Sequence, residues 1–499
     1  MLIILIFVFG FVVRILSILP ANTIIGFDQA RDLFEATKIF RDHHLAIIGP
    51  TAGNNPYLHH GVAFWYYMVP GLIAFHGNPI GVVIWNSFFN ALTIVVLYFF
   101  GKELFKSKKV GLIAAIITSV SYYYIQFAGW ISNPTVCLFT VPVFFFGLWE
   151  YFEGKKWGLP LAFLFLGLTI EFELFFIYLI PTFILGWIIL RPKWPTLKLA
   201  LFSLFVFSVS TSTMILTEFK DHFAGIRGIL GAGSYVGGVS QHSNFFGLLV
   251  NFIENKWEAF YLNFWPQNKT FGIVWGVFVV SFFIYEIIKS KKLRKRNLYL
   301  LLIFFSPVIM LILGTHNAPW FLIGRPMSAI IMSAYVISKL RFKALIGFAL
   351  LFIIFMNLSA TRDSKGRGQI LLEPDPASIM ASQLAAIDYT YKSSNHQTFE
   401  INTLTNPLYV NALWGYQYYW YGHEKYGYLP TFVGGDQLYP YNTLSKPNGR
   451  ETYLYLIIDT TVRIPPQYKN QIVNSAKKVG KLVEDKQFGG IEVQKWMIQ

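Results

Sequence analysis

Runs of about 20 mostly apolar residues recur along this chain, the length that crosses a hydrocarbon layer about 30 Å thick. They fall at 1–20, 79–101, 110–128, 134–152, 158–172, 174–190, 197–216, 271–288, 298–314, 320–338 and 344–358. A water-soluble core cannot absorb so many such runs. Charged residues make up 13% of the 499 positions and hydrophobic ones 54%, where soluble domains carry about 25% charged residues. The expectation is an all-α polytopic membrane domain of about eleven spans.

The net charge of +15 resembles a nucleic-acid signal until its placement is read. Lys102, Lys106, Lys108 and Lys109 lie in one short loop, Lys155 and Lys156 in the next but one. Arg191, Lys193 and Lys198 follow, then the stretch Lys289–Arg296, then Lys339, Arg341 and Lys343. Clustered cations between spans obey the positive-inside rule, so no nucleic-acid partner is expected. The loops alternate without a break if residues 61–76, GVAFWYYMVPGLIAFH, do not cross. That run is short and holds Pro70 and Gly71, which suits an interfacial or re-entrant segment. The first run lacks a basic start and contains Arg14, so it reads as an uncleaved span. The N-terminus is then cytoplasmic, and the loops 21–78 and 217–270 and the segment 360–499 share the outer face of a prokaryotic plasma membrane.

The chain divides into a transmembrane part, 1–359, and a polar C-terminal domain, 360–499. Short β-like runs, FEINTL (399–404) and YLYLII (453–458), with Pro, Gly and Asn between them, predict a small α/β domain. Its segment 414–428, WGYQYYWYGHEKYGY, is dense in aromatics. The single cysteine, Cys137, rules out an intrachain disulfide.

Residues 26–35 read GFDQARDLFE. Asp28, Asp32 and Glu35 recur at i, i+4 and i+7, one helical face, with Arg31 and Lys38 close by. The apolar positions Leu33, Phe34, Ala36, Ile39 and Phe40 predict an amphipathic helix lying on the membrane surface. One reading is a solvated helix with internal ion pairs. The other is a carboxylate facing a cavity among the spans, placed to take a proton from a hydroxyl acceptor.

Here the chain resembles the GT-C glycosyltransferase superfamily, in particular its protein O-mannosyltransferase and lipid A aminoarabinose transferase type. The likeness covers roughly residues 1–340 and rests on order: a first span, an acidic outer loop, and then HHGVAFWYYMVPGLIAF (59–75). NSFFNALTIVVLYFFGKELF (86–105) and SYYYIQFAGWISNPTVCLFTVPVFFF (121–146) follow. The resemblance implies many spans around a membrane-facing cavity. It also implies transfer of a sugar from a polyprenyl-phosphate donor to an outer-face acceptor, with inversion, and it assigns Asp28 as catalytic base. Many members carry a second acid beside that residue, whereas this chain has Gln29, with Asp32 one turn on.

The remaining candidates for substrate binding are Arg14, Arg31, Asp32, His59, His60, Glu171, Glu173, His316 and Arg325. Charged groups at membrane depth are costly and face a cavity or a partner. Glu171 and Glu173, in TIEFELFF, are exposed turn acids or a polar pair lining the sugar site. A cation held by that pair would be Mg²⁺ or Ca²⁺ rather than zinc. Arg325, in THNAPWFLIGRPMSAI with His316, grips the lipid phosphate or snorkels to the interface. Arg14 is a second phosphate candidate. The glycine run 228–238 can close over the site, and segment 414–428 can bind a protein, lipid or glycan acceptor or serve as a lid. No Walker loop, Rossmann fingerprint or HExxH string is present. The rival function is a transporter or flippase of lipid-linked sugar. Such proteins show matching halves with interrupted helices, and no such symmetry is visible in this sequence.

Overall fold

The computed structural model describes residues 1–18, 23–52, 56–231, 247, 257–309, 319–364, 375–461 and 464–499. The first apolar run forms α1 (Leu2–Ser17) and leads to two helices at one end of the molecule, α2 (Phe27–Arg41) and the short apolar α3 (Ala63–Ala74). Next come α4 (Pro79–Phe105), α5 (Lys108–Val120), α6 (Tyr122–Ala128), α7 (Asn133–Phe152) and α8 (Gly158–Phe172). A 3₁₀ turn (Leu174–Tyr178) runs into α9 (Leu179–Leu190), followed by α10 (Leu197–Ser210), α11 (Ser212–Lys220) and α12 (Ala224–Gly231). The bundle ends with α13 (Glu258–Phe264), α14 (Lys269–Lys289), α15 (Lys291–Phe305), α16 (Gly324–Ser338) and α17 (Lys343–Asp363).

Local chemistry sets several of these boundaries. The Asn78 side chain accepts from the Ile80 N–H with Pro79 in the first turn, and α4 ends at Lys106 with a φ of 50°. Polar caps and an early proline start helices in this way. Close approach of α7 and α8 depends on Gly147 and Gly158. A Cβ on Gly158 would lie 2.4 Å from the Gly147 carbonyl oxygen, the small-residue packing common between membrane helices.

Among the described residues four helices are by themselves long and apolar enough to cross a membrane: α4, α7, α14 and α17. The number rises to six when α5–α6 and α10–α11, bent by 50° and 68°, count as one span each. The figure of about eleven spans is therefore not reproduced by helix length. Several apolar runs become shorter helices: α5, α8 and α10 end at turns or bends at Ser121, Glu173 and Thr211.

The basic loops meet at one end. Lys155 pairs with Glu150 and lies 3.6 Å from Glu103; Lys295 lies 3.4 Å from Glu153; Lys109 donates to the Ser338 carbonyl. The opposite end carries α2, α3 and the C-terminal domain. In that domain β1 (Phe399–Leu404), β2 (Thr431–Phe432), β3 (Tyr453–Asp459), β4 (Gly480–Phe488) and β5 (Ile491–Ile498) form one sheet, ordered β2-β1-β3-β5-β4. The first three strands run parallel, and β5 and β4 antiparallel. Helices α18 (Met380–Ser393), α19 (Ala412–Gln417) and α20 (Pro466–Lys477) complete a small α/β domain. Both β-like runs read from the sequence are strands.

The apolar stripe of α2 does not lie on a membrane surface. Leu33, Phe34 and Ala36 are buried, and the Phe34 ring packs on Tyr416 at 5.1 Å and Tyr441 at 5.8 Å. The C-terminal domain covers the stripe, and backbone bonds from Ile25 to Ser378 (2.8 Å) and from Met380 to Thr23 (2.9 Å) fasten the two together. Trp414, Tyr416 and Tyr418 are likewise buried, so the aromatic segment is largely an internal joint.

Candidate active site

The site grows from the first turn of α2. Gln29 Oε1 accepts from the Gly26 N–H at 2.9 Å, which closes the open end of the helix. That bond explains an amide at the position next to Asp28. An acid in the first turn also meets the positive end of the helix dipole. Asp28 is exposed, with 66% of its side chain accessible, and Arg31 Nη1 donates to it at 2.7 Å. Arg31 Nε donates to Asp32 at 2.9 Å. The same Asp32 oxygen accepts from the Trp65 indole at 2.9 Å. One guanidinium thus tethers an exposed carboxylate to a buried one.

Burial works against the charge of Arg31, but Asp32 and Asp28 outweigh it, so its pKa lies above the ordinary value. Burial raises the Asp32 carboxyl above the usual carboxylate range despite the pull of Arg31 and Trp65. Glu35 leaves this group and pairs with Lys38 at 2.8 Å.

A second cluster joins distant segments. Glu171 is 3% exposed. Its Oε1 accepts from the Val62 N–H at 3.2 Å and from the Thr213 hydroxyl, and its carbonyl takes the Gly61 N–H at 3.0 Å. Glu171 therefore ties the outer loop before α3 to the bent α10–α11 pair. His60 Nδ1 lies 3.3 Å from Glu173. Burial, then the charges of Arg31 and His59, hold the His60 imidazole down to about 3, so this contact involves a neutral ring. His59 turns away, its Nδ1 lying 2.8 Å from the Gly49 carbonyl oxygen.

The loop leaves no room beside Glu171: a Cβ on Gly61 would sit 2.1 Å from the Glu171 carboxyl carbon and 2.6 Å from its carbonyl oxygen. Gly61→Ala is expected to cost about 1–3 kcal/mol by overpacking and to lower the thermal midpoint in detergent. An unchanged midpoint would mean that the loop yields freely.

The two arginines differ. Arg14 is fully buried between α1, α4 and α5. It donates to Asn90 Oδ1 (2.7 Å) and to the carbonyls of Gly10 (2.8 Å), Ser119 (3.1 Å) and Thr118 (3.1 Å), so its fork is occupied by the helix bundle. Arg325, 1% exposed at the start of α16, lies within electrostatic reach of Tyr178, Glu258 and Tyr123. His316 and residues 232–238 of the glycine run lie outside the described residues. Among the described residues no group of three His, Cys, Asp or Glu side chains converges to hold a metal ion.

Asp28 also borders a cavity of about 400 Å³ between α2, the bundle and the C-terminal domain, lined by Trp130, Trp320, Asp375 and Asp459 among others. Asp375 and Asp459 were not legible as site residues, because a lone aspartate at a strand or helix end carries no periodic signal. Trp130 faces Trp320 at 5.7 Å between ring centres. Burial, then the charge of Asp375, push the Asp459 carboxyl up to about 8. Its unfolded value is about 3.9. A raised folded pKa means that the folded state holds the extra proton, so this contribution falls as pH rises from about 4 through about 8. The thermal midpoint should drop over that window, and Asp459→Asn should flatten the drop. Parallel curves for the two proteins would remove Asp459 as the cause.

Comparison with known proteins adds the fold. No family model matches the chain, and no curated protein sequence matches it. Among solved structures it is similar to ArnT from Cupriavidus metallidurans in the apo state, at 10% identity and a TM-score of 0.59, covering 99% of this chain and 97% of that one. It is also similar to ArnT from the same organism bound to undecaprenyl phosphate, at 9% identity and a TM-score of 0.57 with the same coverage. The likeness extends through the C-terminal domain as well as the bundle.

Proposed function

We propose that this protein is a GT-C-type glycosyltransferase that moves a sugar from a polyprenyl-phosphate donor to an acceptor hydroxyl. The observation that carries the reading is the exposed Asp28 carboxylate, held by Arg31 at the mouth of a cavity, on a fold shared end to end with a protein crystallised with undecaprenyl phosphate. The acceptor oxygen forms a bond to the anomeric carbon while the bond from that carbon to the phosphate oxygen breaks. Asp28 takes the acceptor's proton, and the carrier leaves as the phosphate anion. A single displacement inverts the anomeric centre.

Arg325 is the phosphate partner in this reading, because a guanidinium offers paired donors to phosphate oxygens and stabilises charge growing on the leaving group. Arg325→Lys keeps a charge but loses the planar fork. It is expected to raise the donor KM by about tenfold, the cost of one charge-assisted hydrogen bond. An unchanged donor KM would assign Arg325 to packing. The clustering of basic loops at the end opposite Asp28 supports a cytoplasmic N-terminus and an extracytoplasmic site in a prokaryotic plasma membrane.

The test uses liposomes containing the protein and a radiolabelled polyprenyl-phosphate hexose, with pentose donors in parallel and a membrane extract as acceptor. Label leaving the carrier for the extract supports transfer. Label that stays on the carrier but crosses the bilayer favours the flippase instead. A chelator arm reads any need for Mg²⁺ or Ca²⁺.

A further inference from the structure

Asp28 is exposed, so close packing does not set the place of its carboxylate. A chain of bonds does, and it begins in a different part of the bundle. Arg31 holds Asp28 through Nη1 at 2.7 Å and Asp32 through Nε at 2.9 Å. Asp32 is 2% exposed, and the Trp65 indole fixes it at 2.9 Å. Trp65 lies in the first turn of α3 and is itself buried.

That turn has no anchor of its own. The residue before α3 is Val62, which caps nothing with its side chain, and Pro70 interrupts the helix further on. Glu171, near the end of α8, supplies the missing partner from 109 positions away. Its Oε1 accepts from the Val62 N–H at 3.2 Å. The N–H of Ala63, the first residue of α3, also lies against this carboxylate. An acid at the start of a helix meets the positive end of the dipole. The Gly61 N–H bonds the Glu171 carbonyl at 3.0 Å, and the Thr213 hydroxyl holds the carboxylate from the side of α11.

We propose that Glu171 is a positioning residue for the base: as the cap that α3 lacks it fixes Trp65, and Trp65 fixes Asp28 through Asp32 and Arg31. The inference rests on the reading of Asp28 as the proton acceptor. Trp65 and Asp32 are buried and Arg31 is half-buried, so the close-packed interior passes a shift along the chain instead of absorbing it. A general base works only within hydrogen-bond reach of its proton, and a misplacement of about 1 Å costs about 10²-fold.

The test is kcat and donor KM for the full-length protein in liposomes. Glu171→Ala is expected to lower kcat by about 10–100-fold with donor KM unchanged. Glu171→Gln keeps an oxygen for the Val62 N–H and should restore most of the rate. Trp65→Phe keeps the ring and loses only the indole donor, so it should fold and lower kcat about tenfold. Each variant is then repeated in the Asp28→Asn background. Residues that act through one another are not additive, so Glu171→Ala and Trp65→Phe should cause no further loss once Asp28 is gone. Equal losses in both backgrounds would overturn the proposal, because Glu171 would then support the fold alone. An unchanged kcat, or a change confined to donor KM, would overturn it as well. Wild-type transfer by Asp28→Asn on its own would instead overturn the reading of Asp28 as base.

Discussion

Asp28→Asn is expected to lower sugar transfer by about 10³-fold while leaving the protein folded. A positioned general base contributes about 10²–10⁴-fold, and an amide of the same shape cannot accept the acceptor's proton. The fold should tolerate the change because Asp28 is exposed and, among the described residues, its one charged partner is Arg31 at 2.7 Å. An ion pair with one exposed member is worth about 0–1 kcal/mol. Asparagine also suits the first turn of a helix, and the capping bond from Gly26 to Gln29 stays in place. The variant should therefore match wild type in thermal midpoint and in carrier binding. Paired loss of activity and of midpoint would mean that Asp28 acts on structure.

Asp32→Ala is expected to do the reverse, acting first on stability. Asp32 is 2% exposed and its Oδ1 receives both the Arg31 guanidinium and the Trp65 indole. Removing it leaves the indole N–H unbonded beside a guanidinium with half its charge balance gone. Breaking a buried pair costs about 3–5 kcal/mol; because the Arg31 side chain is 21% exposed and keeps Asp28, the lower part of that range applies. Activity should fall too, since Arg31 is then free to close more tightly on Asp28. Thermal unfolding in detergent reads the first effect. A midpoint within error of wild type would show that Trp65 and Arg31 are satisfied by water.

The pattern of what the sequence revealed follows from range. Apolar runs and β-like runs are local, so the helices and the strands β1 and β3 were legible. The Asp28–Arg31–Asp32 group was legible as well, because residues three and four apart share a helical face. Long-range pairings were not. Nothing in the order of residues links His60 to Glu173, or Glu171 to both Val62 and Thr213; the two Glu171 contacts reach across 109 and 42 positions. Periodicity told which face of α2 is apolar but not what covers it, and the C-terminal domain, not lipid, does so. Arg14 looked like a phosphate ligand by residue type alone, and the carbonyls that occupy it belong to α1 and α5.

The central claim is that Asp28 performs the proton transfer in a displacement on a polyprenyl-phosphate sugar. The most direct measurement is single-turnover transfer by wild type and Asp28→Asn, each saturated with radiolabelled donor, with carrier binding measured on the same samples. The account predicts that both proteins bind the carrier, that label leaves the phosphate in wild type, and that it stays there in the variant. Transfer by Asp28→Asn at the wild-type rate would contradict it.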